Sequence, residues 1–175
     1  MSIDALRDQL PAYAKDLAMN LTALAGETIL SDEQKWGCFI ASAYAVGQPD
    51  VIQAINAQTA DLPEAVKTGA KAAAAIMGMN NVYYRALHLM KNQEYAGMPA
   101  KLRMTVIGNP GVDKLDFELW CTAVSAVNGC GICLDAHEEQ LRRHQAEPIT
   151  IQATLRIGAV VNAISRVIAA EKAAG

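Results

Sequence analysis

The stretch Asn128-Gly129-Cys130-Gly131-Ile132-Cys133-Leu134-Asp135-Ala136-His137 sets two thiols three residues apart and an imidazole four residues beyond the second. On an α-helix, residues three and four apart share a face. The spacing therefore predicts a single stripe of Cys130, Cys133 and His137, about two turns long. Asn128-Gly129 reads as the turn that ends one helix and folds it back against the next. The motif helix is expected from about Gly129 to His144, with Cys130 in its first turn. There, unpaired backbone N–H groups favour negative charge. Such a position lowers a thiol pKa, and thiolate is the form that attacks disulfides.

Outward from this stretch the pattern stays helical. Asp4 to Leu24 has apolar residues at helical spacing, with Pro11 opening a second segment. Ser31-Asp-Glu-Gln34 matches a capping box that opens a helix to about Val46. Gly47-Gln-Pro49 separates it from a helix through about Gln58, and Asp61-Leu-Pro63-Glu64 starts a long one reaching about Lys91, bent near Gly78. The least regular stretch is Asn92 to Lys114, with room for a short helix between Pro99 and Ile107. Asp113 or Asp116 begins the helix that ends near Asn128-Gly129, and Pro148 opens the last, to about Glu171. Few stretches alternate with period two, so the fold class is all-α.

A weak internal repeat is visible. Gln34-Lys-Trp36-Gly-Cys resembles Glu118-Leu-Trp120-Cys-Thr, and Asn81-Val-Tyr-Tyr-Arg85 resembles Asn162-Ala-Ile-Ser-Arg166. The expectation is a single domain over residues 1–175 with two related helical halves, about 31–91 and 113–171. The first half has Tyr44-Ala45-Val46 where the second has Asn128-Gly129-Cys130, so the thiol chemistry sits in the second alone.

The bulk composition narrows the classes. A chain of 175 residues with 52% hydrophobic residues can bury a sizeable core, and alanine with only 5% aromatics fits closely packed helices. A net charge of -3 with mixed signs gives no footprint for nucleic acid or an anionic membrane. Apolar runs read as interrupted before membrane-spanning length, and the N-terminus has no secretory pattern. The expected compartment is a reducing cytoplasm, where a C-x-x-C is catalytic or metal-binding more often than a permanent staple. Cys38 and Cys121 lack a thiol at motif spacing and read as small buried hydrophobes.

Cys130 and Cys133 are close enough along a helix to close a disulfide. His137, one turn after Cys133, is placed to take a thiol proton or pair with a thiolate. Spacing favours Cys133 as its partner, whereas the helix end favours Cys130, so the order of attack stays open. Zinc is the rival reading, but Cys38 and Cys121 form no second C-x-x-C to close a site, and no metal is expected. Glu118 has two readings. Spacing alone makes it an exposed first-turn glutamate, whereas burial against the motif helix would make it a proton relay.

Taken together, Glu118, Cys130-Gly-Ile-Cys133 and His137 resemble the signature of the AhpD-like, or carboxymuconolactone decarboxylase-like, superfamily. The likeness extends through Ala75 to Arg85, Leu102-Arg-Met104, Asn109-Pro-Gly111 and Phe117 to Trp120, nearly the whole chain. It implies an all-α fold with an internal duplication, assembled as a homotrimer. It also implies electron transfer from dihydrolipoamide, on a lipoylated dehydrogenase-complex subunit, to an AhpC-type peroxiredoxin, with weak direct peroxide reduction. No tightly bound cofactor is implied. Cys130 and Cys133 match the redox pair, and Glu118 and His137 the proton relay. Some members carry a histidine directly before the second cysteine; Ile132 stands there, so a relay through that histidine cannot operate. Decarboxylase or lactone chemistry, as in other superfamily members, and a non-catalytic redox-sensing module are the alternatives. His88 and His144 match nothing and read as surface residues.

Overall fold

The computed structural model describes residues 2–175. Among them are α1 (Ile3–Arg7), α2 (Lys15–Ala25), α3 (Asp32–Val46), α4 (Pro49–Gln58), α5 (Glu64–Leu89), α6 (Thr105–Gly108), α7 (Lys114–Asn128), α8 (Gly131–Arg143) and α9 (Pro148–Ala174), with no strand. The all-α expectation holds.

Most boundaries follow local chemistry. Ser31 Oγ accepts from the Gln34 N–H at 3.2 Å while Gln34 Oε1 accepts from the Ser31 N–H at 3.1 Å, so the capping box opens α3. Gly47, at φ 81°, closes it in the left-handed region that glycine enters without strain. Of the two aspartates considered for the start of α7, Asp113 is the cap: its carboxylate accepts from the N–H groups of Leu115 and Asp116. Several details differ from expectation, among them the end of α9, at Ala174. A second N-terminal segment opens at Pro11 as expected, but it begins as a short 3-10 turn at Ala12–Ala14. The helix α5 stops at Leu89 and runs unbroken through Gly78. The short helix of the irregular stretch lies at Thr105–Gly108, displaced towards its C-terminal end.

The centre of the molecule is α7, packed against α3, α5, α8 and α9. Its residues Phe117 through Ser125 are buried without a break, as in a helix surrounded on every side. Trp120 is its largest buried side chain, and its indole N–H donates to the Gln34 carbonyl at 3.2 Å. Both α3 and α5 offer it a glycine. A Cβ on Gly37 would lie 2.1 Å from the indole nitrogen, and one on Gly69 would lie 2.9 Å from the ring. By length and composition α9 is apolar enough to cross a membrane, which corrects the reading of its sequence as interrupted. Half of its apolar window is nonetheless buried inside the fold, where it packs on α2, α3 and α7.

Candidate active site

The turn between α7 and α8 is held by α5. Asn81 Nδ2 donates to Ser125 Oγ at 2.9 Å, and Asn128 Nδ2 donates to Asn81 Oδ1 at 3.0 Å. The Arg85 guanidinium donates to the Asn128 carbonyl. Gly129, at φ 66°, ends α7 in the left-handed region, and the Cys130 N–H donates back to the Ser125 carbonyl at 3.0 Å. The chain must extend to reverse direction here, so Cys130 is the residue before α8 and not part of its first turn, correcting the expected boundary by two residues. At that position an oxygen side chain ordinarily accepts from the free N–H groups of the first turn. No side chain caps this end, and sulfur stands where the oxygen would be. A thiolate released there meets those N–H groups and the positive end of the helix dipole.

Cys130 and Cys133 are joined in a disulfide, with Cα atoms 5.3 Å apart. Their access is unequal. Cys130 is 0% exposed, whereas Cys133 is 7% exposed and lines a largely apolar cavity of about 280 Å³. His137, Met77, Asn80, Ile107 and Ile132 share that cavity. The site is therefore approached from the Cys133 side. Ile132, 40% exposed, gives its rim an apolar surface.

Glu118 belongs to the site. Only 2% exposed, it points into the seam between α7 and α8. Its Oε2 lies 2.7 Å from His137 Nδ1, and its Oε1 lies 3.1 Å from Lys114 Nζ. Burial pushes this carboxyl up, but the hydrogen bond and charge of His137, joined by Lys114, outweigh burial and hold it below its ordinary value. A carboxylate can only accept, so His137 Nδ1 carries the proton and Nε2 is the nitrogen that gains or loses one. Nε2 lies 3.1 Å from Met77 Sδ, and among the described residues no hydrogen bond joins His137 to either cysteine sulfur. The pairing expected from spacing is with a free thiol, and the disulfide form holds none. A disulfide has no proton to give, while the buried carboxylate offers a charge-assisted bond. The four expected site residues form two pairs, Cys130 with Cys133 and Glu118 with His137, and the cavity brings Cys133 and His137 together.

Sequence reasoning missed Met77, Asn80 and Lys114. Lys114 was legible as the i,i+4 partner of Glu118. Met77, Asn80 and Tyr84 fall on one stripe of α5, inside the stretch Ala75 to Arg85 that carried the family likeness, but nothing local marked that stripe as facing the thiols. Cys38 and Cys121 are buried elsewhere as free thiols. Burial pushes Cys38 up to about 12 and raises Cys121 well above its ordinary value, so both stay neutral. His88 and His144 are exposed, as expected.

A helical scaffold with one disulfide at a helix mouth, opening beside a buried carboxylate–imidazole pair, places the molecule among all-α disulfide-bearing proteins. Residues 93–175, which contain all four site residues, match the carboxymuconolactone decarboxylase family. The chain is 60% identical over 172 residues to alkyl hydroperoxide reductase AhpD of Maricaulis maris, covering 98% of this chain and 99% of that protein. It is 59% identical over 174 residues to the AhpD of Hyphomonas neptunium, covering 99% and 97%. It is 52% identical over 174 residues to that of Rhodospirillum centenum, covering 99% and 94%. The chain belongs to the AhpD family, within the carboxymuconolactone decarboxylase-like superfamily.

Proposed function

We propose that this protein is a thiol-dependent antioxidant oxidoreductase that passes electrons from dihydrolipoamide, on a lipoylated dehydrogenase-complex subunit, to an AhpC-type peroxiredoxin. The observation that carries the reading is the opening of Cys133, and not Cys130, into an apolar cavity shared with His137. Relatives named alkyl hydroperoxide reductase AhpD over nearly the full length support it.

The cycle follows from that asymmetry. A donor thiolate attacks Cys133 Sγ. The Cys130–Cys133 bond breaks, and Cys130 leaves as a thiolate at the uncapped start of α8. The donor's second thiol gives its proton through the cavity to His137 Nε2, whose charge Glu118 balances. That thiolate then attacks the donor sulfur of the mixed disulfide, closing lipoamide's ring and expelling Cys133. Two electrons have now reached the protein as a dithiol. Cys133 next attacks the peroxiredoxin's disulfide, and Cys130 resolves the mixed disulfide. The protein returns to its oxidised form and the partner leaves as a dithiol. Weak direct peroxide reduction uses the same thiols. Carboxymuconolactone decarboxylase chemistry would need no redox dithiol, so the disulfide favours electron transfer.

The same reading takes the chain as one domain of two related halves, working in the cytoplasm as a homotrimer. Exposed Val82, Leu89, Tyr95 and Met98 supply apolar surface for self-association, and a solution mass measurement tests it. The decisive experiment reconstitutes electron flow from NADH, lipoamide dehydrogenase and lipoamide through this protein to a peroxiredoxin. Peroxide-dependent NADH oxidation that requires every component is expected. No flow with the wild-type protein overturns the proposal.

A further inference from the structure

Two adjacent asparagines on α5 meet opposite fates. Asn81 is engaged at both ends of its carboxamide, with Ser125 and Asn128. Asn80, 5% exposed, lines the cavity beside Cys133 and His137, and its Oδ1 is buried without a hydrogen-bond partner. Among the described residues none accepts from its Nδ2 either. A half-turn about its last side-chain torsion exchanges the two atoms, so the group can offer the cavity an acceptor or a donor. It stands one turn along α5, about 4.5 Å in axial rise, from Met77, the side chain that touches His137.

We propose that Asn80 is a specificity-determining residue whose carboxamide pairs with the amide group of the dihydrolipoyl donor. The inference rests on the reading of dihydrolipoamide as reductant. Apolar walls such as Ile107 and Ile132 suit a hydrocarbon arm, and Asn80 is the polar side chain in the cavity that the protein leaves unmatched. The natural complement of one amide is another, with N–H meeting oxygen in each direction. An alkyl hydroperoxide has a single polar end, and reaction holds that end at the sulfur. The lipoyl donor carries a second polar group beyond its reacting thiols.

The test measures reduction of the Cys130–Cys133 disulfide by dihydrolipoamide, by dihydrolipoate (a carboxylate in place of the amide) and by dithiothreitol (no arm). Wild type is compared with Asn80→Leu and Asn80→Ala. In both variants the ratio of kcat/KM for dihydrolipoamide to that for dithiothreitol falls about tenfold, through KM, because the donor's amide goes unpaired. The wild-type preference for dihydrolipoamide over dihydrolipoate shrinks with it. Asn80→Leu also melts about 2–4 °C higher, having removed an orphaned amide. Should Asn80→Leu fail to fold, Asn80→Ala reads the same ratio. An unmoved ratio overturns the pairing while leaving the electron-transfer reading intact. A loss confined to direct peroxide turnover overturns it too, by assigning the amide to the peroxide. A wild-type protein that dihydrolipoamide does not reduce overturns both.

Discussion

The runs α3–α4–α5 and α7–α8–α9 have helices of 15, 10 and 26 residues and of 15, 13 and 27 residues. They differ where the chemistry lies. In the first, Gln48 precedes the middle helix, its Oε1 accepts from the Val51 N–H at 2.9 Å, and Pro49 starts the helix with no N–H to satisfy. In the second, Cys130 precedes the middle helix, no side chain caps it, and glycine starts it. Gln34, which matches Glu118 in the internal repeat, closes a capping box and donates to Asp116 at 2.8 Å. Glu118 instead faces the His137 imidazole. The first run caps its middle helix and closes the capping box at the start of α3. The second leaves a helix mouth and a carboxylate free for sulfur and imidazole. Reactivity here is built by omitting stabilising groups that the neighbouring run keeps.

The most severe way to break this contrast is to remove its sulfurs. Cys130→Ser and Cys133→Ser should each lower lipoamide-driven turnover on the order of a thousandfold or more. They differ in what they trap. Cys130→Ser keeps the accessible sulfur, so Cys133 should attack the oxidised peroxiredoxin's disulfide and accumulate as a mixed disulfide with it, since Cys130 is no longer there to resolve it, visible by intact mass. Cys133→Ser should not. Equal trapping by both would show that burial of Cys130 does not direct the attack.

Next in size is Glu118→Gln, which removes the charge behind His137. Turnover should fall about a hundredfold, within the range of general acid–base catalysis. Stability carries a second signature. The native state holds the Glu118 carboxyl below its ordinary value, so its contribution is present above the unfolded carboxylate range, about 4.3. It is lost as pH falls through the lowered native value. Urea unfolding of wild type and Glu118→Gln should therefore converge as pH drops from about 5 to about 3. Parallel curves would mean that the pair contributes nothing to stability.

Trp120 and Trp36 allow a purely structural comparison. Trp36 is partly exposed and packs on Phe39 with ring centroids 5.0 Å apart, whereas Trp120 is enclosed and rests on Gly37. Gly37→Ala should destabilise by about 1–3 kcal/mol, because the added methyl meets a rigid ring with no room to move. Denaturant unfolding checks it, and a neutral result would show that α3 can slide away.

The legible parts of this molecule were those fixed by near neighbours in sequence. Ser31 to Gln34, Gly47, Asp113 and Pro148 each act within one helical turn, so the helix ends they set were readable. The C-x-x-C pair was readable for the same reason. The side of the disulfide that opens was not, because that depends on Met77 and Asn80 from α5 and Ile107 from the irregular stretch, all distant in sequence. Glu118 shows both limits at once. Its position read as an exposed first-turn acid, yet α3, α5, α8 and α9 enclose α7, and that burial is a tertiary fact. Only the family likeness placed it in the site.

The smallest predicted effect is also the sharpest on the helix mouths. Gln48→Ala removes the cap of α4 and should cost about 1 kcal/mol, with lipoamide turnover following only the folded fraction. The reverse change on α8 should have the opposite sign. Serine at position 130 supplies the capping oxygen that α8 lacks, so Cys130→Ser should be more stable than the wild type by about 0.5–1 kcal/mol. The comparison must be made in excess reductant, so that neither protein carries the disulfide. The gain should shrink as pH rises, because an ionised Cys130 is itself an acceptor at the helix N-terminus and does the serine's work. Urea unfolding of both reduced proteins across the thiol titration measures that convergence directly. A gain independent of pH would mean that the Cys130 thiolate never meets the free N–H groups of α8, and the leaving-group role assigned to it would have no physical basis.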